Sequence, residues 1–228
     1  ATLMLKTVTQ ATGLALAVMA ATPALAAIEW TDWTSASASG ATGTLGSAAV
    51  TFNGGLDTWQ TSGGTDYWRQ GGTTPWAAYD AVENLPTNND FIALLQPGTI
   101  TFSSAVTNPF IAIISLGQPN VDTQWTFDAP FTIVDQGQGH WGNGTLTSLP
   151  GNVLGGLEGH GIIQFTGTFT SLTISGIANQ EFWSGLTVGA ESTSPVPEPA
   201  TWAMMIGGLG LVGSAMRRNR RGTRTVAA

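Results

Sequence analysis

Phe110-Ile111-Ala112-Ile113-Ile114-Ser115-Leu116, closed by Gly117-Gln118-Pro119-Asn120, decides how the rest of the chain is read. A run of β-branched and aromatic residues that ends in turn chemistry favours a strand over a helix. The same rhythm continues on both sides, in Gly98-Thr99-Ile100-Thr101-Phe102, Gln124-Trp125-Thr126-Phe127, Phe131-Thr132-Ile133-Val134, Ile162-Ile163-Gln164-Phe165 and Phe169–Ser175. Turn formers separate the runs: Asn108-Pro109, Ala129-Pro130, Gly142-Asn143-Gly144 and Pro150-Gly151-Asn152. Between Phe169 and Ser175 the polar and apolar residues do not alternate cleanly, which leaves the faces of that strand unassigned. No helical periodicity interrupts the pattern outside the termini, and no internal repeat suggests a solenoid or propeller. The expectation is an all-β ectodomain, a β-sandwich or jelly roll of about eight to ten strands.

Composition narrows the function. The 228 residues hold 30 glycines and no cysteine, and only 9% are charged, against roughly 25% in ordinary domains. One good core fits this length, so a disulfide-stapled miniprotein and a large multidomain enzyme are both excluded. Charge is segregated. Thirteen carboxylates and one base, Arg69, lie between Ile28 and Pro197, a net charge of −12, whereas five of the seven basic residues fall in the last twelve positions. Such an acidic body has no face for nucleic acid.

Both ends read as addresses. Lys6 precedes the apolar run Ala11–Ala21, and Ala24-Leu25-Ala26 supplies small residues at a cleavage site. This is the pattern of a signal peptide over residues 1–26, a helix cut by signal peptidase with Ala24 and Ala26 flanking the −2 position, and Met4 is the expected initiator. Export makes the missing cysteines informative: stability has to come from packing. At the other end, Pro197-Glu198-Pro199 leads through Trp202 into an uncharged stretch to Met216, followed by Arg217-Arg218-Asn219-Arg220-Arg221. As a transmembrane helix, 202–216 would be ~22 Å long, short of the ~30 Å hydrocarbon core. Trp202 at one interface and snorkelling arginines at the other would let it cross. Arg217, Arg218, Arg220 and Arg221 would then hold the C-terminal end in the cytoplasm and the body outside the inner membrane. The expected plan is signal peptide 1–26, ectodomain 27–191, linker 192–196, sorting segment 197–221 with the arginines at 217–221, and tail 222–228.

Taken in order, the Pro-Glu-Pro triplet, Trp202 with Ala203-Met204-Met205, the Gly-rich stretch and the arginine cluster resemble the PEP-CTERM sorting signal of Gram-negative bacteria, in its P-E-P-x-x-W-A-M-M form. The resemblance covers about thirty residues at the C-terminus. It implies that a membrane-embedded exosortase recognises the tail and cuts near Pro197, Glu198 and Pro199, with Trp202 part of the motif. It also implies a cell-surface or extracellular destination, often beside exopolysaccharide and biofilm.

Candidate chemistry in the body is sparse. Residues Thr58–Asn89 hold Trp59, Tyr67, Trp68, Trp76 and Tyr79 among glycines and polar residues, either as a loop whose rings plug one end of the sandwich or as a platform for sugar rings. Trp59, Trp68 and Trp76 are the candidate glycan contacts. His140 and His160 each sit between glycines in expected turns, so replacing either with alanine should cost under about 1 kcal/mol. With Glu158 they form the only metal or acid–base combination worth considering, and no third ligand has diagnostic spacing. No G-x-S-x-G elbow is present. No catalytic residue, metal or cofactor is expected. Calcium on the oxygen-rich turns Asn88-Asn89-Asp90 and Asn120-Val121-Asp122 is the one exception considered, with Asx-turn capping as the simpler role. Two functions compete: a non-enzymatic surface or matrix protein, and a secreted carbohydrate-binding module or glycoside hydrolase. The hydrolase would need two carboxylates in an aromatic-lined groove.

Overall fold

The computed structural model describes residues 27–86, 89–180, 184–192, 206–211 and 217. The chain divides into two compact units, Leu25–Val196 on one hand and Ala1–Ala24 with Pro197–Ala228 on the other. In the second unit, residues 206–211 form an exposed helical segment and Arg217 is helical and exposed. Among the described residues no helix is long and apolar enough to cross a membrane. The structure therefore does not supply the expected transmembrane helix over 202–216, of which only 206–211 is described. The expected signal helix of residues 1–26 lies outside the described residues.

The first unit is all-β, as the strand-and-turn rhythm requires. Its described strands are β1 (Ile28–Trp30), β2 (Asp32–Ser37), β3 (Gly40–Leu45), β4 (Ala48–Gln60), β5 (Arg69–Gln70), β6 (Thr74–Pro75), β7 (Phe91–Thr107) and β8 (Phe110–Leu116). They continue as β9 (Thr123–Phe127), β10 (Phe131–Gln136), β11 (Thr145–Leu149), β12 (Val153–Leu157), β13 (Gly159–Phe165), β14 (Thr168–Ala178) and β15 (Ser184–Glu191). The architecture differs from the expected eight to ten strands in separate sheets. A single antiparallel sheet of 13 strands runs β10-β13-β8-β15-β7-β14-β9-β12-β11, and β1 to β4 branch from it; β5 and β6 form a small ribbon.

Two long strands join what would otherwise be separate layers. The start of β7 pairs with β15 and its end with β14, while β4 follows along the opposite side through two register shifts. The pair bends where Gly54 faces Gly98. A β-carbon on Gly98 would lie 2.5 Å from the Phe52 ring, and one on Gly54 would lie 2.7 Å from Gly98 Cα, so both positions need glycine. Pro97, which has no N–H, falls between the last β15 partner at Leu94 and the first β14 partner at Gly98, where no ladder bond is lost. The sheet thus folds back on itself until Leu146 N, in β11, donates to Gln136 Oε1 of β10, the strand at the other end of the path (2.9 Å).

The folded sheet encloses the main core, which includes Ile92, Leu94, Ile100, Ile111, Ile113, Trp125, Phe165 and Leu186. A second cluster covers the opposite face of β7, β8 and β13 with Phe91, Ala93, Phe110, Ala112, Ile114 and Ile162. Every residue of β8 is buried: Ile111 and Ile113 face the main core and Phe110, Ala112 and Ile114 the second, until the left-handed Ser115 breaks the alternation and Leu116 joins the main core. Trp68, Ala78, Tyr79 and Leu85, from the connection between β4 and β7, close the second core.

Asp90 fixes the junction where β1 gives way to β7 along β15. Its side chain is fully buried, Oδ2 accepts from Trp33 N (2.9 Å), and Oδ1 has no hydrogen-bond partner when both carboxyls are ionised. Burial pushes the Asp90 pKa up to about 7, and the charge of Asp32 adds to the rise. An unfolded Asp ionises near pH 4, so the folded form holds a proton that the unfolded form has lost between about pH 4 and 7. Stability therefore falls as pH rises through that window, by at most about 4 kcal/mol from this group. Asp90→Asn keeps the acceptor for Trp33 and cannot ionise. It should melt higher than the parent at pH 8 and equal to it at pH 4 in paired thermal scans; a lower melting point at pH 8 would contradict the assignment.

Candidate functional site

The segment between β4 and β7 forms a strap held by its own polar groups. Asp66 Oδ1 accepts from Trp68 N and Arg69 N (both 3.0 Å), and Arg69 Nη1 donates to Pro86 O (3.1 Å). Ala81 N donates to Asp135 Oδ2 (2.9 Å), and Trp30 Nε1 donates to Asn84 O (3.0 Å). Trp68 is 0% exposed, which leaves no ring face for a sugar. The strap covers a sheet face and is not a plug at one end. Trp76 is half-buried at its margin, and Trp59 is 38% exposed on β4.

Beneath the strap lies a buried polar cluster at a bulge between β8 and β13. Tyr79 Oη donates to Ile113 O (2.8 Å), and Ser115 N donates to His160 Nδ1 (3.2 Å). Nδ1 is thus an acceptor, so the ring proton sits on Nε2, 3.6 Å from Glu158 Oε1. Ser115 Oγ donates to that same carboxylate oxygen at 2.5 Å. Ser115 and Glu158 adopt φ of 55° and 59°, in the left-handed region that non-glycine residues enter at a cost of order 1 kcal/mol each. His160 belongs to strand β13 and is fully buried, which corrects its assignment to a turn. Gly139 lies directly against the imidazole ring, where a β-carbon would collide with it. Burial pushes the His160 pKa down to about 4, and His140 acts in the same direction.

His140 itself is exposed and belongs to an aromatic group. Tyr67 stacks on Trp141 (centroids 4.9 Å, planes 29° apart) and meets His140 edge-on at 4.9 Å. His140 also contacts Trp141 at 5.0 Å and Trp76 at 6.3 Å. Trp141 is 44% exposed. Sequence reading placed Tyr67 among the candidate platform rings but passed over Trp141, because 74 positions separate the two and only the strap brings them together.

No group of three or more His, Asp or Glu side chains among the described residues is placed to hold a metal ion. Asn120 lies in a turn closed by the Val121 N to Gln118 O bond (2.9 Å), and Asp122 Oδ2 accepts from Gln124 (2.7 Å). Asn88 lies outside the described residues. A surface depression lined by Glu29, Gly46, Ser47, Ser104 and Glu191 has no histidine or aromatic residue in its wall. Ala24, Ala26, Pro197, Glu198, Pro199, Trp202, Arg218, Arg220 and Arg221 also lie outside the described residues.

Comparison with known proteins finds one feature. A family model described as the PEP-CTERM protein-sorting motif matches residues 195–221. The chain carries this sorting signal, which supports export, sorting to the cell surface and processing by an exosortase. Neither the curated proteins nor the solved structures yield a match to the chain.

His160→Ala removes a buried ring and strands the Ser115 N–H, so it should cost about 2–3 kcal/mol, whereas exposed His140→Ala should cost under about 1. An unfolded histidine takes up a proton near pH 6.5 and the folded one only near 4. The histidine's contribution is therefore complete above pH 6.5 and is lost as pH falls towards 4, by about 3 kcal/mol. Urea melts of parent and variant across that range check both points: the difference between them should shrink as the pH falls.

Proposed function

We propose that this is a non-enzymatic surface or matrix protein, exported, held briefly in the inner membrane, and released by an exosortase into the exopolysaccharide around the cell. The sorting motif at residues 195–221 is the observation that carries this reading. Signal peptidase cuts after Ala26, and the mature chain stays tethered by 202–216 until processing near Pro197-Glu198-Pro199. Arg217, Arg218, Arg220 and Arg221 set the orientation of that tether. Cell-surface delivery is supported by the same signal, and biofilm association is our extension of it. In keeping with the non-enzymatic reading, the one buried carboxylate among the described residues, Asp90 beside Asp32, serves the fold. A carbohydrate-binding role draws support from the exposed Trp141 and its neighbouring rings.

The tail combines a rigid proline-bounded marker, a thin Gly-rich stretch and arginines that stop transfer. A plain anchor needs only the last two. Replacing Pro197-Glu198-Pro199 with Ala-Gln-Ala should therefore leave the full-length chain in the inner membrane of a host with an exosortase, while the parent is released there and retained in a host without one. Fractionation with intact-mass analysis reads the outcome. Equal release of the parent from both hosts would leave a simple anchored ectodomain in place of a sorted one.

A further inference from the structure

We propose that Tyr67, Trp76, His140 and Trp141, with the carboxylate of Glu158 beside them, form a binding subsite for a neutral glycan. This rests on the polysaccharide-associated reading above and names its contact.

The rings come from two separate stretches, the strap and the connection between β10 and β11, and meet within 4.9 to 6.3 Å. Tyr67 supports one face of Trp141, and the Trp141 side chain remains 44% exposed. A supported, exposed indole suits the C–H face of a pyranose, because it offers a large apolar area with little rotamer entropy to lose.

A polar group is fixed beside these rings. Trp141 is followed by Gly142, where a β-carbon would sit 3.4 Å from Glu158 Cγ. Glu158 Oε1 is held by Ser115 Oγ at 2.5 Å and lies 3.6 Å from His160 Nε2; the side chain is 15% exposed, and Oε2 makes no hydrogen bond to the described residues. Two left-handed non-glycine residues and a buried imidazole thus position one carboxylate that retains an acceptor oxygen. Sugar hydroxyls can donate to such a group, since an ionised carboxylate only accepts.

Charge selects the ligand class. The only base between Ile28 and Pro197 is Arg69, and it is engaged with Asp66 and the carbonyl of Pro86. That leaves no lysine or other arginine in this stretch to offset a uronate or a sulfate, so polyanions are disfavoured and neutral hexose polymers fit.

The test uses the full chain in detergent micelles, titrated by calorimetry with cellohexaose and dextran as neutral probes and alginate as the polyanion. At least one neutral probe should bind and alginate should not. Trp141→Ala should weaken that binding by about tenfold or more, while Trp59→Ala, an exposed tryptophan outside the cluster, should leave it unchanged. As a check that needs no variant, the bound neutral probe should protect Trp141 of the parent from N-bromosuccinimide, read by peptide mass. The site is overturned by no binding to either neutral probe, by equal binding of alginate, by equal loss in both variants, by undiminished binding in Trp141→Ala, or by an unprotected Trp141. It is also overturned if sedimentation shows that Trp141→Ala disrupts self-association, which would make the patch a contact between copies. Exosortase-dependent release without glycan binding would remove this site and leave the sorting reading standing; glycan binding without such release would do the reverse.

Discussion

Strand β8 is apolar on both sides, and the rest of the body is arranged to cover it. A strand with one solvated face alternates, but Phe110–Leu116 does not, and all seven residues are buried. One side is met by the folded-back sheet, with Ile111 and Ile113 in the main core. The other needs a second cover, which the strap provides with Trp68 and Tyr79. Each such aromatic ring removes on the order of 200 Å² from water, at most about 5 kcal/mol. With no disulfide in the chain, this burial holds the long connection to the sheet together with the Ala81–Asp135 and Trp30–Asn84 hydrogen bonds.

The same double coverage forces polar groups indoors, and each is accommodated differently. Tyr79 reaches a strand carbonyl, His160 stays neutral and accepts from Ser115 N, and Asp90 keeps its proton to about pH 7. The last two effects have opposite signs with pH. Across mildly acidic pH the loss of the His160 contribution is offset by the gain at Asp90, to which Asp135, whose pKa burial also raises, adds. An envelope protein meets pH without cellular buffering, and opposed titrations of this kind flatten its stability there.

Address and body are separate problems in this chain. The C-terminal motif works by linear order, with proline-bounded marker, apolar stretch and arginines in succession. In the body, groups meet by juxtaposition: the rings of Tyr67 and Trp141, and Glu158 beside Gly142, come from connections far apart in sequence. Fold alone does not assign a function to such a β-body, and the local chemistry around Trp141 has to carry that argument.

The sequence by itself determined the all-β class, the strand runs and the sorting signal, because each is written in neighbouring residues: β-branched runs, turn formers, and a motif in fixed order. The run at Phe110–Leu116 marked a strand, but not that both of its faces would be buried or what would cover them. Tertiary structure decided that, together with the single continuous sheet, the burial of Trp68 and His160, and the grouping of Tyr67 with Trp141. The physical reason is that glycine neighbours describe backbone freedom and not solvent exposure: Gly159 and Gly161 flank His160 within a strand, not a turn, and Gly139 is small so that His160 can be packed beneath it. Burial and contact depend on which distant segment returns to a face, and no local pattern records that.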